Sequence, residues 1–416
     1  MAVDRVRARV RRGVLPLVRA GLDRLVGTAR RLVRGAGEPR RGAALAVLAA
    51  AAALTAVRCA GPRRSAAPDV EVLLDRDLSS VEVALPGPYR VLDARGGTLA
   101  DGARLKSGRL RARDRGLDLN GVPLTAETVL LAPEDDVELA YKGRTYAGDL
   151  RVRRDARGRL EVVNVVDVEE YLAGVLFSEM PANFPDEALR AQAVAARTYA
   201  RYRLEHGEKL LRATDADQVY GGTTRLQERA RALVAASRGL VLEVGGEPLC
   251  SYFMSTCGGA TVDAPLVFTQ TPKAGLAGVA CDFCRESPKY RWTRTLAAGE
   301  LARRLGVKEV AAIDVERDKF GHAIRFTVRG SGENRTFQGL DFRRAWNDGA
   351  GKEEQLPSPW ARQLEVTRGG VRIDGAGFGH GVGLCQYGAA GQAKAGRGWR
   401  EIIGHYYRGA QLVKRW

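Results

Sequence analysis

The stretch EEYLAGVLFSEMPANFPDEALRAQAVAARTYARYRLEHG, residues 169–207, decides the fold class. Upstream of it, from Val70 to about Val166, the chain runs in short apolar or alternating segments. These are VEVLL, SSVEVAL, YRVLD, TVLLA, VELAYKG and LEVVNVV, separated by Gly, Pro and Asp turns. That is the periodicity of strands. At Glu169 the period changes. EEYLAGVLFSEM suits a short helix, and PDEALRAQAVAARTYARYRLEHG (185–207) suits a long one. Pro185 fits the first helical position, Asp186 and Glu187 complement the helix dipole, and Gly207 suits the stop. The predicted class is α+β, a β-rich region followed by a mixed helix and sheet core.

Further along, about Arg225–Ser237 reads as a third helix closed by Gly239. LVLEVGGEPLCSYFMS then reads as a hairpin through Gly245-Gly246. Residues 298–305 look helical and 310–330 strand-like. VRIDGAGFGHGVGLCQYGAAGQAKAG (371–396) reads as a strand, a glycine-rich loop and a small-residue helix. No internal repeat stands out.

The net charge of +17 resembles a nucleic-acid signal until it is located. Residues 1–64 carry a net of +12 and the remaining 352 only +5. The Arg-rich leader, 1–41, contains no aromatic residue on which a base could stack. No nucleic-acid partner is therefore expected. Gly42–Val57 follows as 16 uncharged, mostly Ala, Leu and Val residues, which reads as an export signal or a short membrane anchor. Cys59 ends that run as a lipoprotein cysteine would, although Arg58 is a poor match to the small residue such sites require. The expected organisation is a basic cytoplasmic leader (1–41), a signal or anchor segment (42–59), a linker (60–69), a β-rich region (70–166) and a core (167–412). The body would lie in the cell envelope, anchored in the inner membrane, lipidated or released.

Cys257, Cys281 and Cys284 form C-x23-C-x2-C, a spacing by which three thiolates reach one tetrahedral zinc. Cys250, His380 and His405 are the candidates for a fourth ligand, and such a metal would be structural. A disulfide or free thiols are the alternatives. The glycine loop fails G-x-G-x-x-G at every register, so no dinucleotide site is predicted. It places His380, Gln386 and Tyr387 at a loop-to-helix junction. A Cys385–His380 nucleophile pair is disfavoured because no carboxylate is placed to orient the histidine.

Arg190, Arg197 and Arg201 share one stripe of the long helix, ordinarily a solvated face, and that reading is kept for Arg190 and Arg201. Glu169 and Glu170 most simply cap or solvate the short helix. Glu179 differs, because it stands at the end of an apolar run. A partly desolvated carboxyl suits a general acid that protonates a glycosidic oxygen, and helix capping is the alternative. A hydrolase needs a second carboxylate at a fixed distance. Glu169, Glu170, Asp186 and Glu187 are the nearest, and each suits a helix end better. One acid suffices where the substrate supplies its own nucleophile, as muramic acid does through its 6-hydroxyl.

Taken together, NVVDVEEYLAGVLFSEMPANFPDEALRAQAVAARTYA, DQVYGG, SYFMSTCGGAT, CRESPKYRW and GFGHGVGLCQYGAAGQAKAG with IIGHYYRGAQL resemble the stage II sporulation protein D family, the SpoIID/LytB amidase-enhancer group. The resemblance covers about residues 70–412. It implies an envelope protein acting on peptidoglycan glycan strands. The implied activity is that of a lytic transglycosylase on strands stripped of stem peptides, leaving 1,6-anhydro ends. A non-catalytic enhancer of a cell-wall amidase is the alternative. The resemblance implies Glu179 as the catalytic acid and Arg197 as a residue of the activity, and it places Tyr220, His380, Gln386 and Tyr387 along the glycan groove. Relatives that hold zinc resemble one another in a histidine where this chain has Met254. Ala260 and Leu384-Cys385 are further departures.

Overall fold

The computed structural model describes residues 67–134, 137–207, 210–214, 217–223 and 227–416. The leader, the apolar segment 42–57 and Cys59 lie outside them. Among the described residues no helix is long and apolar enough to cross a membrane. The class is α+β, with seven helices and several sheets among the described residues, as the change of period at Glu169 predicts.

The chain divides into two compact units. One holds residues 73–165; the other holds 166–415 together with Asp69–Val72. The first unit is built from antiparallel strands. Asp149–Arg154 lies between Leu160–Asp167 and Thr128–Pro133, and Tyr89–Asp93 and Thr98–Gly102 continue that sheet. A second sheet runs in the order Arg144–Tyr146, Leu139–Tyr141, Ser80–Leu85, Leu105–Ala112, Leu117–Leu119, Val122–Leu124. Period-2 burial is clean in Ser80–Leu85, where Val81, Val83 and Leu85 are buried.

The second unit carries α1 (Val168–Glu179), α2 (Asp186–His206), α3 (Gln227–Ala235), α4 (Ala298–Leu305), α5 (Gly339–Asn347), α6 (Gln386–Lys394) and α7 (Trp399–Tyr406). α1 is capped by Asp167, whose side chain accepts the Glu169 N–H at 2.8 Å. It is buried from Tyr171 through Leu176, so it is a core helix rather than an amphipathic one. α2 buries alanines at 188, 191, 193, 195, 196 and 200, and small side chains let other elements approach its axis closely. The strand Leu240–Val244 turns at Gly245-Gly246, both left-handed, into Glu247-Pro248, the hairpin expected there.

Residues 292–375 form a lobe with a core of its own. Trp292–Leu296, Val371–Gly375 and Ala361–Val366 make one sheet, and Ala312–Arg317, Ala323–Gly330 and Glu333–Gln338 another. Phe326 stacks on Phe342 with ring centroids 4.1 Å apart, beside Trp346, Leu301 and Leu305. α4 matches the helical stretch expected at 298–305. α5 is not legible in the sequence: its buried large side chains are only Phe342 and Trp346, too narrow a stripe to show a period.

The glycine-rich loop leads into the short strand Leu384-Cys385, which runs parallel to Phe253-Met254. Gly383 is left-handed (φ 75°), and a Cβ there would stand 1.9 Å from the Tyr252 carbonyl oxygen. Gly383→Ala is expected to cost about 2 kcal/mol or more in urea unfolding, from steric overlap added to backbone strain. Gly396→Ala, equally left-handed but facing open space, is expected to cost only about 1 kcal/mol.

Candidate functional site

Glu179 is the last residue of α1 and is half-buried. Its Oε1 accepts the Val219 N–H at 2.6 Å, so the carboxylate is held by backbone from a separate loop. That loop is itself fixed. Asp217 is bound by Arg203 at 3.0 Å, by the Tyr199 hydroxyl at 3.3 Å and by the Arg212 N–H at 2.9 Å. Gln218, fully buried, accepts the Tyr171 hydroxyl at 3.0 Å and donates to the Ala196 carbonyl. Tyr220 then packs on Tyr171, ring centroids 5.1 Å apart, over Gly174, where a Cβ would come within 2.6 Å of its ring.

On the chain's other side of Glu179, the turn Pro181–Pro185 carries Phe184 edge-on against Tyr387, 5.1 Å between centroids. Tyr387 is the second residue of α6 and its N–H donates to Ser255. Glu179 is thus tied to the 217–222 loop, and five residues further on Phe184 meets Tyr387. Of the residues expected to line a groove, Tyr387 is half-open, while Tyr220 and Gln386 are 3% and 6% exposed and support the wall from behind. The Val219 amide, Asp217 and Phe184 were not legible as site components. A backbone donor and a loop-fixing ion pair leave no pattern in sequence, and no spacing singles out Phe184.

The four carboxylates nearest in sequence are all engaged. Asp186 pairs with Arg229 at 2.8 Å and Glu170 with Arg231 at 2.9 Å. Glu187 pairs with Arg190 and accepts the Trp399 N–H at 2.7 Å, at the start of α7. Glu169 binds Arg197. Here the structure corrects one expectation: Asp167, not Glu169, caps α1. Arg197, set apart from the solvated stripe by the resemblance, is buried. The Arg197 side chain is fully buried, and its Nε and Nη2 reach the two oxygens of Glu169 at 3.1 and 2.7 Å. Its remaining donors go to Ser237 Oγ and to the Val234 and Leu240 carbonyls. Arg197 is therefore a positioning residue that ties α1 to α2 and to the turn after α3. It touches no open surface.

Four buried thiols lie together: Cys257, Cys281, Cys284 and Cys385, their sulfurs all within 4.8 Å of one another. Cys385 was absent from the candidates for a fourth ligand, and none of those candidates takes its place. Cys250 lies outside the group, its thiol pushed up to about 11 by burial. His405 Nε2 is hydrogen-bonded to the Ala280 carbonyl at 3.0 Å. His380 Nε2 donates to the Phe253 carbonyl at 2.9 Å, and its Nδ1 accepts the Val382 N–H at 3.2 Å. Both of its ring nitrogens are used, so neither a metal ligand nor a base for Cys385 is available from it.

An open cleft of about 680 Å³ lies in the 292–375 lobe, lined by Arg291, Trp292, Arg317, Phe320 and Arg362 among others. No residue of the Glu179 neighbourhood lines it.

A family model described as stage II sporulation protein matches residues 156–243. Stage II sporulation protein D of Bacillus subtilis is 31% identical over 271 residues, which span 60% of this chain and 75% of that protein. The chain belongs to the stage II sporulation protein D family. An uncharacterised protein of Brachyspira hyodysenteriae is 32% identical over 309 residues, 72% of this chain and 80% of its own. The amidase enhancer of Bacillus subtilis is 26% identical over 291 residues, 58% of this chain and 40% of that protein. Membership carries a role related to the cell wall and a place in the cell envelope. In this family member the matched segment contains α1, Glu179, α2, Arg197, Tyr220 and α3, and stops short of the four clustered cysteines.

Two outcomes follow from the ion pair and the histidine. Arg197→Ala removes the arginine that meets the buried Glu169 carboxylate and is expected to cost about 3–5 kcal/mol. Arg197→Ala with Glu169→Gln should cost less than the sum of the two single changes, a coupling readable in a double-mutant cycle. Burial holds the His380 pKa down to about 4, from 6.5, so the folded protein keeps it neutral where the unfolded chain protonates it. The contribution is fully present above pH 6.5 and is lost as pH falls toward 4, roughly 1–3 kcal/mol in all. His380→Gln should flatten the stability profile in that window, measured by urea unfolding at stepped pH.

Proposed function

We propose that the protein is a peptidoglycan lytic transglycosylase that cleaves between N-acetylmuramic acid and N-acetylglucosamine in glycan strands free of stem peptides. The observation that carries this reading is the place of Glu179, at the end of a buried helix and bonded to the backbone of the 217–222 loop. It is half-buried and accepts the Val219 N–H, while the four carboxylates nearest to it in sequence each meet an arginine. Engagement of those four in ion pairs favours a reaction that needs one acid over the paired carboxyls of a hydrolytic glycosidase.

Glu179, protonated, delivers its proton to the glycosidic oxygen as the bond from C1 of the muramic ring to that oxygen breaks. Positive charge develops at C1, and the carboxylate now faces it. The 6-hydroxyl of the same ring attacks C1, its proton returns to Glu179, and a 1,6-anhydro ring closes. No water is consumed. Phe184 and Tyr387 offer an apolar wall for a sugar face, and Arg197 acts through the position of α1.

The amidase-enhancer relative favours a second reading, in which the protein binds wall or amidase and speeds another enzyme. Digestion of amidase-treated peptidoglycan by wild-type protein is expected to release anhydromuramic products, with Glu179→Gln slower by about 10²–10⁴-fold. Identical product profiles from the two proteins would remove the catalytic reading. Equal stimulation of an added amidase by both, with no anhydro product, would establish the enhancer in its place.

A further inference from the structure

The geometry points to a structural zinc site of four thiolates, Cys257, Cys281, Cys284 and Cys385, that pins the start of α6. It stands whether or not the glycan chemistry proposed for Glu179 is right, because none of its atoms belongs to that reaction.

Spacing is the first argument. Zn–S bonds of about 2.3 Å place the sulfurs of a tetrahedron about 3.8 Å apart. Cys257 and Cys284 sulfurs are 3.7 Å apart, and all four sulfurs fall within 4.8 Å of one another. A disulfide needs about 2.05 Å, and an iron–sulfur cluster needs its cysteines spread around bridging irons and sulfides. Only a single ion fits inside four sulfurs this close. All four cysteines are fully buried, the closed set of a structural site rather than the open position of a catalytic one.

The surroundings are those of thiolates. The Cys257 N–H points at the Cys385 sulfur at 3.2 Å and the Gly388 N–H at 3.3 Å. The Tyr406 hydroxyl lies 3.2 Å from the Cys281 sulfur. Thr256 Oγ, buried and without another partner, stands beside Cys284. Donors directed at sulfur are what orient and stabilise metal-bound thiolates. At Gly388 a Cβ would fall 2.6 Å from the Cys281 sulfur and 3.1 Å from that of Cys385, so the cradle tolerates no side chain there.

Cys385 has two roles in this arrangement, as the ligand that closes the tetrahedron and as the N-cap of α6. Gln386 and Tyr387 follow it directly, so the ion fixes the helix end that carries the aromatic wall. Serine at 385 separates the two roles, since it keeps a capping oxygen and removes the thiolate.

The full-length chain, purified without chelator, is expected to hold one zinc per molecule by elemental analysis. Replacement by cobalt should give the intense visible bands and near-ultraviolet charge transfer of a tetrahedral thiolate set. Cys385→Ser should lose the ion to a chelator that leaves the wild type loaded, and its thermal midpoint should drop to that of the stripped wild type. Cys250→Ser, outside the cluster, should keep both ion and spectrum. The wild-type cobalt spectrum stands as a readout even if Cys385→Ser does not fold. Absence of stoichiometric metal, iron in place of zinc, a disulfide among these cysteines on thiol counting, or a Cys385→Ser protein with wild-type spectrum and retention would each overturn the assignment.

Discussion

The guanidinium of Arg197 is the constraint on which the rest of the second unit depends. It is fully buried, and its bonds run to Glu169 at the start of α1, to Ser237 and Val234 at the end of α3, and to Leu240 at the start of a strand. Glu169 in turn accepts the Gly239 N–H at 3.1 Å. A buried charge of either sign is tolerated only when its partner and its hydrogen bonds are all present. The pair therefore admits one relative placement of α1, α2 and the turn after α3. Ten residues on from Glu169, that placement sets where the carboxylate of Glu179 leaves α1.

A second constraint is steric. The glycine loop and α6 pass so close to other backbone that side chains are excluded at several points. At Gly391 a Cβ would fall 2.0 Å from the Phe283 carbonyl, and at Gly383 1.9 Å from that of Tyr252. Close passage brings Tyr387 onto Phe184 and Cys385 onto Cys257. The 292–375 lobe interrupts the chain between Cys284 and Cys385, yet its first strand, Trp292–Leu296, pairs antiparallel with Val371–Gly375 at its close. The chain therefore enters and leaves the lobe at one place. Cysteines about a hundred residues apart in sequence can then share one cluster.

Arginine is used throughout this unit to occupy carboxylates. Arg190, Arg197, Arg229 and Arg231 take Glu187, Glu169, Asp186 and Glu170. Apart from the buried Arg197–Glu169 pair, pairs of this kind add little stability individually. Their consequence here is chemical, since they engage the four carboxylates nearest to Glu179 in sequence. The high arginine content that first suggests nucleic acid serves, in this part of the chain, to neutralise acids pair by pair.

The sequence by itself determined the α+β class, the change from strands to helices at Glu169, the hairpin at Gly245-Gly246 and the candidacy of Glu179. All of these are local, carried by period, turn chemistry and the placing of one acid beside apolar neighbours. The tertiary structure alone decided the rest. A stripe of three arginines on a helix looks solvated until the fold buries one of them against a glutamate 28 residues away. Cys385 looked like a tolerated departure, because a ligand set drawn from positions 257, 281, 284 and 385 has no period or short spacing to reveal it. The Val219 amide has no side-chain signature at all. What sequence cannot carry here is convergence, since which distant groups meet is set by close backbone packing and by the return of the 292–375 lobe on itself.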